Sequence, residues 1–203
     1  MRAIILAVCV VLIATSCGGL SRLLPCSERR HASGIAIVCR EDITPWANAT
    51  EDLKGTHSFA MELALAYPDS FGYPVPDFEQ RQVVLRIVRP DAETVARRWL
   101  ASGIDLQEAF GKVRSLPRPM VPLRFETATR SVKQLEGIKD DIGPNLRDLP
   151  DADAIFQSGP DIRRNATRFT IDRESDALLR ALAQRYGTEA LVLEIDPARP
   201  DFR

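Results

Sequence analysis

Apolar positions along the chain follow three patterns in turn. The first is one unbroken run: Ala3 to Ala14 gives twelve apolar residues directly after Met1 and Arg2. The second is a sparse stretch. Gly18 to Gly34 is polar and carries Gly18-Gly19 and Pro25, which predicts a tether. Ile35 to Val38 is a short apolar run that predicts a strand, and Glu41 to Gly55, interrupted by Pro45, predicts a loop. The third pattern is periodic. Phe59, Leu63 and Tyr67 recur at helical spacing and predict a helix over residues 56–67, ended by Pro68. Residues 71–78 contain Pro74 and Pro76 and fit an edge strand at most. Residues 82–88 alternate, with Val83, Leu85 and Ile87 on one face and Arg86 on the other, which predicts a strand. Helices are predicted over 91–101 and 104–114, and a strand over 123–127 after Pro117, Pro119 and Pro122. A further helix is predicted over 131–142, with Ser131 and Gln134 as a capping box. Short strands follow at 153–157 and 167–171, then a helix over 174–186 stopped by Gly187, an apolar strand over 190–195, and a polar tail.

The third pattern repeats. Displaced by 84 residues, PDFEQRQVVLRIVRPDAETVARRWLASG from Pro76 lies on PDIRRNATRFTIDRESDALLRALAQRYG from Pro160 without a gap. Identities are few: Pro76 on Pro160, Asp77 on Asp161, Ile87 on Ile171, Arg89 on Arg173, Gly103 on Gly187. The shared feature is the order of short strand, turn, alternating strand, helix and glycine stop. Duplication and chance agreement of two βα segments both produce such an order. The expected fold class is α+β, with two related helix–hairpin–helix–strand halves, about 56–127 and 131–195, in one sheet-and-helix domain over 35–196. A tether over 17–34 precedes it and a tail over 197–203 follows.

The opening run is too short to span a bilayer, which takes about 20 residues, and it suits the apolar region of an export signal. Arg2 supplies the preceding charge, and Ala14-Thr15-Ser16 supplies small residues for cleavage. The stretch Ile13-Ala14-Thr15-Ser16-Cys17 resembles the lipobox of bacterial lipoproteins, with Ala14 where Leu, Val or Ile is usual. That resemblance implies removal of residues 1–16, acylation of Cys17 and an anchor on the extracytoplasmic face of the membrane; two or more acyl chains hold a protein stably. Plain secretion after cleavage at Ser16 is the alternative. Of four cysteines, Cys9 leaves with the signal and Cys17 is the lipidation candidate. Cys26 and Cys39 remain, in a compartment that permits a disulfide worth about 3 kcal/mol; two separate buried thiols are the other reading.

The segments AYPDSFGYPVPDFEQRQVVLRIV and GPDIRRNATRFTIDRESDALLRALAQRYG resemble the pro-region modules of secreted bacterial serine proteases and related envelope proteins. In that family a β-hairpin with a polar turn is followed by a helix and a returning strand. The resemblance implies a compact module that binds protein surfaces, without a catalytic residue. No protease domain follows before Arg203, so a stand-alone module is expected.

Charge and motifs narrow the chemistry. The formal charge is −1, and without residues 1–16 it is −2, so no net attraction to nucleic acid is visible. The only histidines are His31, in the expected tether, and His57, in the first turn of the expected helix. Neither lies in H-E-x-x-H, and C-x-x-C, G-x-S-x-G, G-x-G-x-x-G and the phosphate-binding loop pattern are absent. A hydrolase built around His57 with a distant serine is a minor alternative. Asp140, Asp141, Asp148, Asp151 and Asp153 have oxygen ligands for calcium but not the spacing of a calcium loop. The arginine pairs 97–98 and 163–164 offer guanidinium groups to an anionic partner. Asn48 and Asn165 begin accidental glycosylation sequons. Trp46, Tyr67, Phe71 and Tyr73 form an aromatic region suited to a groove or to a core. The expectation is a non-catalytic envelope module without metal or cofactor. Its partners would be the membrane, through its lipid, and an envelope or secreted protein. An inhibitor or folding helper of a secreted protease is the alternative function.

Overall fold

Thr50 opens the first long helix, because its Oγ1 accepts a hydrogen bond from Leu53 N at 3.4 Å and Glu51 and Asp52 place negative charge at the helix start. The computed structural model describes residues 27–40, 44–102 and 118–197. The expected signal segment, Cys17, Cys26, the helix expected over 104–114 and the end of the tail lie outside those residues. The helices are α1 (Thr44–Ala47), α2 (Glu51–Ala66), α3 (Ala92–Ser102), α4 (Val132–Asn145) and α5 (Asp176–Tyr186). The strands are β1 (Arg29–Arg30), β2 (Ala36–Val38), β3 (Val75–Asp77), β4 (Gln82–Ile87), β5 (Leu123–Thr127), β6 (Ile155–Asp161), β7 (Ala166–Ile171) and β8 (Leu191–Ile195).

Two mixed sheets result, ordered β3-β4-β5 and β1-β2-β8-β7-β6. The fold is therefore α+β. Each half contains a helix, an antiparallel hairpin, a second helix and a strand parallel to the hairpin's second arm. The second hairpin arm and the helix after it correspond residue for residue between the halves. Strands β4 and β7 begin and end 84 residues apart, as do α3 and α5. Asp77 pairs with Gln82 as Asp161 pairs with Ala166, and Val83 with Leu123 as Thr167 with Leu191. Both hairpin loops end on a left-handed residue, Arg81 and Asn165, each at φ 51°.

Several expected boundaries move. Helix α2 starts at Glu51 rather than 56, and the expected loop before it contains the turn of helix α1. The ordered fold also reaches into the expected tether, since β1 pairs with β2, as Arg29 with Ile37. The strand expected at 153 begins at Ile155, after a 3₁₀ turn over Ala152–Ala154. Local caps match the pattern read from sequence. Ser131 and Gln134 form the capping box of α4, and Gly187, at φ 81°, ends α5 with its N–H on Ala183 O at 2.9 Å.

Each half has its own core. The first joins Leu53, Leu63, Phe71, Val83 and Leu85 to Ala92 and Ala96 of α3. The second joins Ile35, Phe169, Ile171, Leu178, Leu182 and Leu193. Helix α4 belongs to both: Val132 and Leu135 are in the first, Ile142 is in the second, and Ile138 packs against the second.

Candidate functional site

The halves are latched by the β6–β7 turn, which lies over the face of β4 opposite the first core. Arg86, expected to point outward, is only 9% exposed. Its Nη1 donates to Tyr73 O at 3.2 Å and to Ile162 O, and its Nη2 donates to Arg163 O at 2.6 Å. Burial pulls its pKa down, and the charges of Glu126 and Asp161 oppose that. Asn165 completes the latch: its Oδ1 accepts from Tyr73 N at 2.9 Å and its Nδ2 donates to Arg130 O at 2.8 Å. Both ends of its amide are hydrogen-bonded to the main chain, so the asparagine of this sequon has a structural role. Gly72 is required beneath it, because a Cβ there would lie 2.6 Å from Asn165 Oδ1.

The β3–β4 turn has the same internal chemistry. Asp77 Oδ1 accepts from Gln80 N at 2.9 Å, as Asp161 Oδ1 accepts from Arg164 N at 2.8 Å. The surroundings differ. Phe78 to Arg81 are all exposed, whereas Asn165 is buried and Ile162 packs on the first core. Phe78 takes the place of Ile162 and is 38% exposed. It lies edge-on to Trp46 of α1, with ring centroids 6.4 Å apart. Trp46 in turn stands edge-on to His57, at 5.0 Å. Met120 belongs to the same end, since its N–H and that of Val121 donate to Thr56 Oγ1 at 3.0 and 3.2 Å. Trp46, Phe78 and Met120, the last 69% exposed, give this end of the first half an apolar surface.

His57, expected in a first helical turn, is buried beneath that surface. Its Nε2–H donates to Pro74 O at 3.3 Å. Burial holds its pKa below the usual imidazole value, against the pull of the Pro74 carbonyl. The described hydrogen bond goes to a main-chain carbonyl, not to a nucleophile, so the geometry gives a hydrolase reading no support. His31, expected in a tether, is folded in. Its Nδ1 faces Ser33 Oγ at 3.0 Å and its Nε2 faces Asp176 Oδ1 at 2.9 Å.

The remaining sequence candidates are dispersed. Phe71 and Tyr73 are core, while Tyr67 reaches the surface and accepts from Trp99 Nε1 at 3.2 Å. Asp141 accepts from Tyr186 OH at 2.7 Å and from Arg185 and Asn145; the Tyr186 bond leads in holding its pKa below the usual carboxylate range. Burial, followed by that hydrogen bond, pushes Tyr186 up to about 12. Asp153 pairs with Arg173 at 2.8 Å, so these two carboxylates of the acidic group serve ion pairs. Among the described residues no three of His, Cys, Asp and Glu are grouped to hold a metal. Arg97 pairs with Glu93 and lies over the Phe125 ring at 5.1 Å, and Arg164 binds Asp161 and Glu28. A surface hollow of about 230 Å³ beside Arg30 and Arg164 is likewise rimmed by paired charges, with Arg30 on Glu189 at 3.0 Å.

One half-buried carboxylate went unnoticed in the sequence. Glu136 accepts from Tyr73 OH and from Lys139 Nζ. Burial pushes its carboxyl up, but the two hydrogen bonds outweigh that and hold it below the usual range. Cys39, just after β2, is disulfide-bonded; Cys26, its expected partner, lies outside the described residues. Among the described residues no helix is long and apolar enough to cross a membrane. Comparison with protein-family models and with curated proteins returned no match.

Proposed function

We propose that the chain is an exported, lipid-anchored envelope protein whose folded part is a non-catalytic binding module, and that it binds through the aromatic end of its first half. The observation that carries the binding reading is the gathering of Trp46, Phe78 and Met120 at one end, exposed, on a frame held by the Thr56 and Pro74 contacts. Exposed apolar side chains grouped in this way mark interaction surfaces, whereas scattered ones need no explanation. What supports the anchor is the pattern from Arg2 to Cys17.

Two measurements on the full chain test the two parts. Intact mass of the membrane-extracted protein is expected to show a lipid-sized increase that disappears in Cys17→Ala; an unlipidated chain beginning at Cys17 would make the protein secreted. For binding, a photo-reactive residue at Met120 is expected to form a protein adduct in the producing cell. The same group at Arg180, on α5 of the other half, is expected to form none. Equal yields at both positions would remove the aromatic end as the site.

A second reading, an inhibitor or folding helper of a secreted protease, is favoured by the hairpin–helix–parallel strand order present in both halves. Purified domain added to the extracellular proteases of the producing organism would then change their activity or refolding, and no change in either would eliminate it.

A further inference from the structure

The chain contains the same turn twice, once docked and once exposed, and the docked copy shows what such a turn binds. In the β6–β7 turn the first two loop residues offer their carbonyls to one guanidinium: Ile162 O to Arg86 Nη1 and Arg163 O to Arg86 Nη2. The Ile162 side chain meanwhile packs against the first core. A planar fork of donors suits two neighbouring carbonyls in a way that an ammonium group does not. The β3–β4 turn has the same aspartate-closed loop and the same left-handed final residue. Its first two residues are Phe78 and Glu79, and both are exposed.

We infer that the β3–β4 turn docks on another protein, and that the partner presents an arginine to the carbonyls of Phe78 and Glu79 beside an apolar recess that receives the Phe78 ring. This rests on the reading of the aromatic end as the binding surface, and it names the chemistry of the partner. Charge favours an arginine further. Glu79 stands where the docked turn has Arg163, so the exposed loop sets a carboxylate beside the carbonyls that would meet the guanidinium, with Asp77 next to it. Arg81, at the far end of the loop, is the loop's only cation. An anionic lipid surface would be repelled by Asp77 and Glu79. A second copy of the chain is disfavoured as partner, because its acceptor, Arg86, is already filled by its own β6–β7 turn.

The test places a photo-reactive benzoyl-phenylalanine at position 78 of the full chain, in the producing cell, and maps the adduct peptide by mass spectrometry. The expected adduct lies on another protein, next to an arginine flanked by apolar residues. Changing that arginine to lysine is expected to lower the yield about tenfold or more, and so is Glu79→Lys in this chain. The exposed position of Glu79 predicts an unchanged far-UV spectrum for that variant. A protein adduct with no arginine beside it, or one insensitive to both changes, overturns the arginine inference and leaves the binding reading standing. A lipid adduct, or an adduct on the chain itself, overturns the inferred partner. No adduct at position 78 together with none at Met120 removes the binding reading as well.

Discussion

His57 couples the aromatic end to pH. Its ring lies under Trp46 and its Nε2–H is committed to the Pro74 carbonyl, so protonation would place a charge in a site that burial already makes unfavourable for it. The folded pKa lies below the unfolded value of about 6.5. Between the two values the unfolded chain holds a proton that the folded chain lacks, so stability rises with pH across that window. The contribution is whole above about pH 6.5 and is lost as pH falls toward the folded value. Urea midpoints taken from pH 7 down to pH 5 should therefore fall more steeply in the native chain than in His57→Gln; equal slopes would mean that the imidazole is not the group responsible. The latch gives a second test at this scale. Asn165→Ala removes two hydrogen bonds and a residue at ease at φ 51°, a loss of about 2–3 kcal/mol. Gly72→Ala drives a methyl into the same amide and costs about 1–3 kcal/mol. The double variant should cost at least about 1 kcal/mol less than the sum, because the amide that the methyl meets is gone; strict additivity in denaturant melts would show that the two residues do not share one contact.

At the scale of elements, two turns of one design sit in opposite surroundings, and their variants should differ accordingly. Asp161 is 4% exposed and accepts from the main chain and the guanidinium of Arg164, so Asp161→Ala should cost about 2 kcal/mol. Asp77→Ala removes the corresponding cap from an exposed loop and should leave the urea midpoint close to that of the native chain. Equal losses would mean that the docked turn gains nothing from its site. The same contrast explains what sequence reading could reach. Strand β5, the Ser131–Gln134 box and the Gly187 stop are set by residues within a few positions of one another, and they were legible. Arg86 was placed correctly on the face of β4 opposite Val83 and Leu85, but its burial was not legible, because the turn that covers it is 76 residues away. His57 was read into a first helical turn because the Thr50 cap was missed, and its burial depends on α1, a four-residue helix inside a polar stretch. Phe78 carried one usable signal: the 84-residue displacement sets it opposite Ile162. Packing of one against the first core and exposure of the other is a property of the packed halves, which no local pattern encodes.

For the whole molecule the deciding element is α4, because one helix completes two cores. Val132 and Leu135 close the first core while Ile142 fills the second, and Thr167 Oγ1 of β7 donates to Leu135 O at 2.8 Å across the junction. Loss of α4, which the second half supplies, would open the first core and orphan that hydroxyl, so the first half lacks its full core without the second. Unfolding should then be one transition, although the chain is built from two similar units. The two tryptophans make this measurable, since Trp46 and Trp99 both lie in the first half and their emission reports on it alone, whereas far-UV dichroism reports on both. Ile142→Ala removes buried methyl groups from the second core only and should cost about 3 kcal/mol. If α4 joins the cores, that variant lowers the urea midpoint seen by tryptophan emission as far as the one seen by dichroism, although neither indole belongs to the second half. A fluorescence midpoint that stays in place while the dichroism curve splits would show instead that the halves unfold separately, with α4 staying folded on the first.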